Sequence, residues 1–138
     1  MKRKDPKYKY KFAMLLDDNE LDNFINQNTM SANHFASKVY VSTGSISALE
    51  FLNNLALCGS ESVDIFPEII FIDINMPMMN GFQFIENLQK RLPEKLFSLK
   101  LVILTSSADP NDRLKAEAIS KGIIFLNKPL TGQMLDQL

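Results

Sequence analysis

The sequence predicts a single α/β domain, a doubly wound parallel sheet of five strands made from five successive βα units. Three observations predict it. Five short β-favouring runs occur along the chain, and most are continuously apolar rather than alternating, as in strands covered on both faces. Amphipathic helical patterns fill the gaps between them. The two kinds of segment alternate, which argues for right-handed crossovers and helices on both sides of one sheet. A length of 138 residues suits one domain with a sizeable core, and no repeat or Pro/Gly-rich linker divides it.

The first strand is expected at Phe12–Leu16, and the helix after it runs from Asn19 to about Asn28 with Leu21, Phe24 and Ile25 on one side. A second strand, Lys38–Val41, precedes a helix from Ser45 to about Leu57 whose stripe is Ile46, Leu49, Leu52 and Ala56. The third strand, Ile69–Ile72, leads through Asn80-Gly81 into a helix over Gly81–Leu92 that aligns Phe82, Ile85, Leu88 and Leu92. The fourth strand is Leu101–Leu104; Asp109-Pro110 then reads as an N-cap followed by proline at the first helical position, with Gly122 as the stop. The fifth strand is Ile123–Leu126. The final stretch, Thr131–Leu138, carries Leu130, Met134, Leu135 and Leu138 on a stripe but spans only about two turns. Such a short segment is expected to be loosely ordered or held by a second chain.

In a sheet of this kind ligands sit beyond the carboxyl ends of the strands. Those ends are Asp17-Asp18, Asp73, Thr105-Ser106-Ser107 and Asn127-Lys128-Pro129. Three carboxylates, a hydroxyl and an ammonium therefore converge on one edge. Carboxylates crowded together raise one another's pKa unless a cation neutralises them, and a hard divalent ion such as Mg²⁺ does so with oxygen ligands. With the ion present Asp73 can attack a phosphoryl group, Lys128 can meet another phosphate oxygen, and Thr105 can offer a hydrogen bond. By composition the edge is a phosphoryl-transfer site. Lys128 acts only when phosphate is present, so its replacement is expected to cost little stability.

From Phe12 to the C-terminus the pattern resembles the response-regulator receiver family of two-component signalling. Its marks are Asp17-Asp18, Asp73 with Met76-Pro77-Met78-Met79-Asn80-Gly81 after it, Thr105, and Lys128-Pro129. The resemblance implies a flavodoxin-like (βα)5 fold. It makes Asp73 the phosphoacceptor and Asp17 and Asp18 the acidic metal-site pair, with the Asn75 backbone carbonyl as a further Mg²⁺ ligand. It makes Thr105 and Phe125 the switch residues and implies a cis peptide at Lys128-Pro129. Phe125 stands where tyrosine is commoner, so a phenolic signal is absent. The phosphodonor would be a sensor histidine kinase or a histidine phosphotransfer protein, and the output contact with an unknown protein target, a homodimer being possible. With no output sequence after the domain, a stand-alone receiver is expected: a phosphoacceptor with self-catalysed phosphorylation and dephosphorylation, not a turnover enzyme.

Two other classes compete. Aspartate-nucleophile phosphatases of the haloacid dehalogenase type use similar groups, but their nucleophile follows the first strand and a second Asp stands two residues on, where this chain has Asn75. A receiver-like scaffold that works without phosphorylation would not need the intact site.

Charge and composition bound the setting. Residues 1–11 hold six basic side chains against Asp5, a net +5, while the other 127 residues carry −6. The first eleven residues are expected to be a solvated, partly disordered leader and residues 12–138 the receiver domain. The acidic body has no basic stripe for nucleic acid. No apolar run approaches the ~18 residues of a membrane span, no secretory signal opens the chain, and the lone Cys58 fits a reducing compartment. A cytoplasmic protein is expected.

Overall fold

A computed structural model of the chain describes residues 7–58 and 64–138. The elements alternate as expected: β1 (Tyr10–Leu16), α1 (Glu20–Ala32), β2 (Ala36–Ser42), α2 (Ser45–Cys58), β3 (Ile69–Ile72), α3 (Gly81–Arg91), a 3-10 turn at Pro93–Ser98, β4 (Lys100–Thr105), α4 (Pro110–Ile119), β5 (Ile124–Asn127) and α5 (Gly132–Asp136). All strand pairs are parallel and the order is β2-β1-β3-β4-β5. This is the flavodoxin-like winding, with its switch point between β1 and β3.

Alternation of side chains along each strand feeds two cores. Met14, Leu16, Ile70, Ile72, Leu101 and Ile103 point to the layer of α2, α3 and α4, where Leu49, Leu52, Phe82, Ile85 and Leu88 meet them. Ala13, Leu15, Ile69, Phe71, Val102 and Leu104 point the other way, onto Met30 of α1 and Leu135 of α5. The central strands β3 and β4 are thus apolar on both faces, which is why they read as unbroken runs.

Local signals set several ends. Asn80 caps α3 in a reciprocal box with Gln83, and Asp109 caps α4 ahead of Pro110, each satisfying a first-turn amide. Three expectations need correction. The domain boundary at Phe12 falls inside β1, because Tyr10 and Lys11 already belong to the strand; the leader's first six residues lie outside the described segments. The α1 stripe faces solvent: Leu21, Phe24 and Ile25 are 64%, 62% and 43% exposed, while Asn23, Asn26 and Met30 are buried. The Asn23 side-chain amide donates to the Asp17 carbonyl at 2.8 Å, so a polar contact with the end of β1 fixes the helix's rotation. Finally, the last segment is docked within the chain: Leu135 and Leu138 are buried, and Lys9 donates to the Leu135 and Asp136 carbonyls.

Candidate functional site

The carboxyl ends of β1 and β3 lie side by side, with Leu16 paired to Ile72, so the residues that follow, Asp17 and Asp73, face each other. The Asp73 amide donates back to the Leu16 carbonyl at 2.9 Å. Asp17 and Asp73 are buried and Asp18 is exposed at the rim, and one oxygen from each of the three lies within 4.8 Å of the others. The Asn19 amide donates to Asp17 Oδ1 at 2.9 Å, which orients that carboxylate.

Lys128 enters from the end of β5 through a cis Lys128-Pro129 peptide. Its Nζ donates to Asp17 Oδ2 at 2.6 Å and to Asp22 Oδ2 at 2.8 Å, and stands 3.5 Å from Asp73 Oδ1. Burial alone works against the ammonium, but the hydrogen bonds to Asp17 and Asp22 and the charges of Asp73 and Asp17 outweigh it and raise the Lys128 pKa. Asp73 shows the opposite pressure. Burial first, and then the Asp17 charge, push its pKa up to about 6 despite the opposing pull of Lys128. One ammonium does not neutralise Asp17, Asp18, Asp22 and Asp73 together, and this surplus of anionic oxygen fits a hard divalent cation.

Thr105, at the end of β4, is fully buried. Its hydroxyl accepts from the Ser107 amide at 3.0 Å, and its carbonyl accepts from the Lys128 amide at 2.8 Å. Asn127 ties the same loop, donating its side-chain amide to the Ser107 carbonyl at 2.9 Å. Phe125 is half-buried on β5, packed against the α2–α4 core, with the Arg113 guanidinium 4.9 Å from its ring centroid. Asn75 lies exposed in the turn after β3.

The structure therefore brings Asp17, Asp18, Asp73 and Lys128 together, sets Thr105 at the same sheet edge, and leaves Phe125 on β5, three residues before Lys128. Sequence reasoning missed Asp22. The signal available was its place three residues after the N-cap Asn19, whose side chain accepts from the Asp22 amide; that puts a first-turn acid beside the strand-end pair.

The family model for the response regulator receiver domain matches residues 14–138. A solved two-component response regulator from Cytophaga hutchinsonii is 32% identical, with a TM-score of 0.83 over 94% of this chain and 93% of that one. The Vibrio cholerae chemotaxis protein CheY4 shares the fold at a TM-score of 0.71 and 18% identity, over 93% of this chain and 94% of that one. Among curated proteins, hybrid signal transduction histidine kinase C of Dictyostelium discoideum is 28% identical across 89% of this chain but only 9% of its own length. Sensor histidine kinase CheAY of Helicobacter pylori is 30% identical across 67% of this chain and 10% of its own. The chain thus spans about a tenth of either kinase. Among the described residues no helix is long and apolar enough to cross a membrane.

Proposed function

This chain belongs to the response regulator receiver domain family of two-component signalling, and we propose that it accepts a phosphoryl group on the carboxylate of Asp73. The observation that carries the reading is the lysine–carboxylate cluster: a buried Asp73 with Lys128 Nζ 3.5 Å away and Asp17 and Asp18 beside it. In the transfer, an Asp73 oxygen attacks phosphorus while the P–N bond to a donor imidazole breaks and its electron pair returns to the ring nitrogen. Lys128 then moves its charge from the carboxylates to a phosphoryl oxygen. The Thr105 hydroxyl accepts from Ser107, so its own proton can turn toward another phosphoryl oxygen. Asp17, Asp18 and Asp73, with the Asn75 carbonyl, would hold Mg²⁺, which when bound offsets charge on the phosphate oxygens.

The phosphodonor in this reading is a histidine kinase or histidine phosphotransfer protein, and the output is a changed protein-contact surface reached through Thr105 and Phe125 in the cytoplasm. Hydrolysis of the acyl phosphate resets Asp73, so the domain switches rather than turns over a substrate. No observation favours the phosphatase reading: the candidate nucleophile follows β3, and Asn75, two residues on, has no acidic proton. Titration with acetyl phosphate or beryllofluoride in the presence of Mg²⁺, followed by NMR, tests the proposal. Saturable shifts at Asp73, Thr105 and Lys128 are expected, and lost in Asp73→Asn. A spectrum that stays unchanged would leave a scaffold that works without phosphorylation.

A further inference from the structure

Lys128 has three carboxylate neighbours, and they are not equivalent. Asp17 and Asp73 belong to the group whose oxygens converge within 4.8 Å, whereas Asp22 stands outside that group. Asp22 nevertheless holds Lys128 Nζ at 2.8 Å, closer than Asp73 does at 3.5 Å. Its position is built, not incidental. The Asp22 amide is anchored on the Asn19 side chain at 3.0 Å, and the Asn19 amide on Asp17 at 2.9 Å. The next residue, Asn23, ties the helix to the Asp17 carbonyl. One cap therefore sets the Asp17 and Asp22 carboxylates as the two arms that receive the ammonium.

We infer that Asp22 is a positioning residue acting through Lys128, and that it sets the balance at this site between a divalent cation and a phosphoryl group. The inference rests on the reading of Asp73 as acceptor. A cation among Asp17, Asp18 and Asp73 competes with Lys128 for the same oxygens. Asp22 gives the ammonium a partner outside that set, so it eases cation entry. With a phosphoryl group on Asp73 the direction reverses: Asp22 now draws charge away from the phosphoryl oxygen that Lys128 should meet. A carboxylate in this place favours the metal and disfavours the phosphoryl state.

The test uses Asp22→Asn, which removes the charge with little change of shape, and Asp22→Glu, which restores it. Mg²⁺ affinity is measured by calorimetry, then beryllofluoride affinity at saturating Mg²⁺ for each protein. Asp22→Asn is expected to bind Mg²⁺ roughly three- to fivefold more weakly and beryllofluoride roughly three- to fivefold more tightly, the size expected of a partly exposed ion pair. Asp22→Glu should recover most of both shifts. Opposite signs are the diagnostic, since a variant that merely loosened the site would bind both probes more weakly. Weakening of both, or no change in either, against a responsive wild type overturns the inference alone. A wild type that binds Mg²⁺ but no beryllofluoride overturns the acceptor reading, and this inference with it.

Discussion

Gly81 lies directly against the backbone of Asp73: a Cβ placed on it would stand 2.5 Å from the Asp73 carbonyl oxygen and 3.0 Å from Ile74 Cα. The first residue of α3 is thereby pressed onto the strand end that presents the candidate acceptor, and the Gly81 amide donates to the Ile74 carbonyl at 2.9 Å. Both obstructing atoms are backbone, so no side chain can swing clear. Gly81→Ala should destabilise the domain by about 1–3 kcal/mol, the usual range for overpacking, and slow phosphorylation by displacing Asp73. Urea denaturation measures the first effect. A change inside the ~0.5 kcal/mol of an ordinary surface substitution would mean that the helix start yields freely.

The Asp73 carboxyl carries a pH signature. Burial and Asp17 raise its pKa from 3.8 to about 6 in the folded protein. Between those values the folded state binds more protons than the unfolded one, so stability falls as pH rises. Above about pH 6 the penalty is complete, near 3 kcal/mol at 1.36 kcal/mol per unit. Without metal, Asp73→Asn should therefore be more stable than wild type at pH 7 by up to about 3 kcal/mol, with the gap closing toward pH 4. Mg²⁺ should narrow it from the other side by stabilising only the wild type. Denaturation curves that stay parallel from pH 4 to 7 would assign the pH dependence elsewhere. An amide cannot attack phosphorus, so the same variant should form no acyl phosphate.

Lys128 should matter to folding more than its surface-like position in the sequence suggests. Its side chain is 13% exposed and in contact with three carboxylates, and removing one partner of such a cluster leaves the others uncompensated. The raised Lys128 pKa means that its contribution is fully present below the ordinary lysine value and is lost only as pH rises through the higher folded one. At pH 7 in chelator, Lys128→Met is expected to cost about 3 kcal/mol, the low end for breaking a buried ion pair because Asp22 is partly exposed, and millimolar Mg²⁺ to return part of it. A cost below ~0.5 kcal/mol would restore the expectation drawn from the sequence.

The parts of the fold read correctly are those whose signal is local. Ile69–Ile72 and the Phe82, Ile85, Leu88, Leu92 face lie where apolar periodicity puts them, because both faces of β3 and one face of α3 are covered. Asp109-Pro110 works as a cap and first-turn pair because those residues satisfy the helix end by themselves. Leu21, Phe24 and Ile25 misled because α1 is turned by a polar contact, Asn23 to the Asp17 carbonyl six residues back, and apolar periodicity does not register a buried asparagine. The four groups around Asp73 were legible as strand-end residues once the βα order was known. Asp22 was not, since it sits one turn into a helix and its role exists only through Lys128, 106 residues away.

The closing segment offers a final test, because a five-residue helix has too few internal bonds to persist unaided. Thr131 caps it, and Leu135 and Leu138 bury their side chains against the β1–β3–β4 face. Two lysines and a tyrosine do the rest. Lys9 donates to Leu135 and Asp136, Lys100 donates to the Leu138 backbone oxygen at 2.6 Å and to the Tyr10 hydroxyl at 2.9 Å, and that hydroxyl donates to Leu138 in turn. Residues on β1 and β4 thus hold the segment from below. Lys100→Met should speed amide exchange across residues 132–138 by about tenfold, the equivalent of the roughly 1.5 kcal/mol of a charge-assisted hydrogen bond. Tyr10→Phe should act in the same direction while leaving β3 and α3 protected. If both variants exchange like wild type, burial of Leu135 and Leu138 alone docks the segment, and Leu138→Ala should then release it.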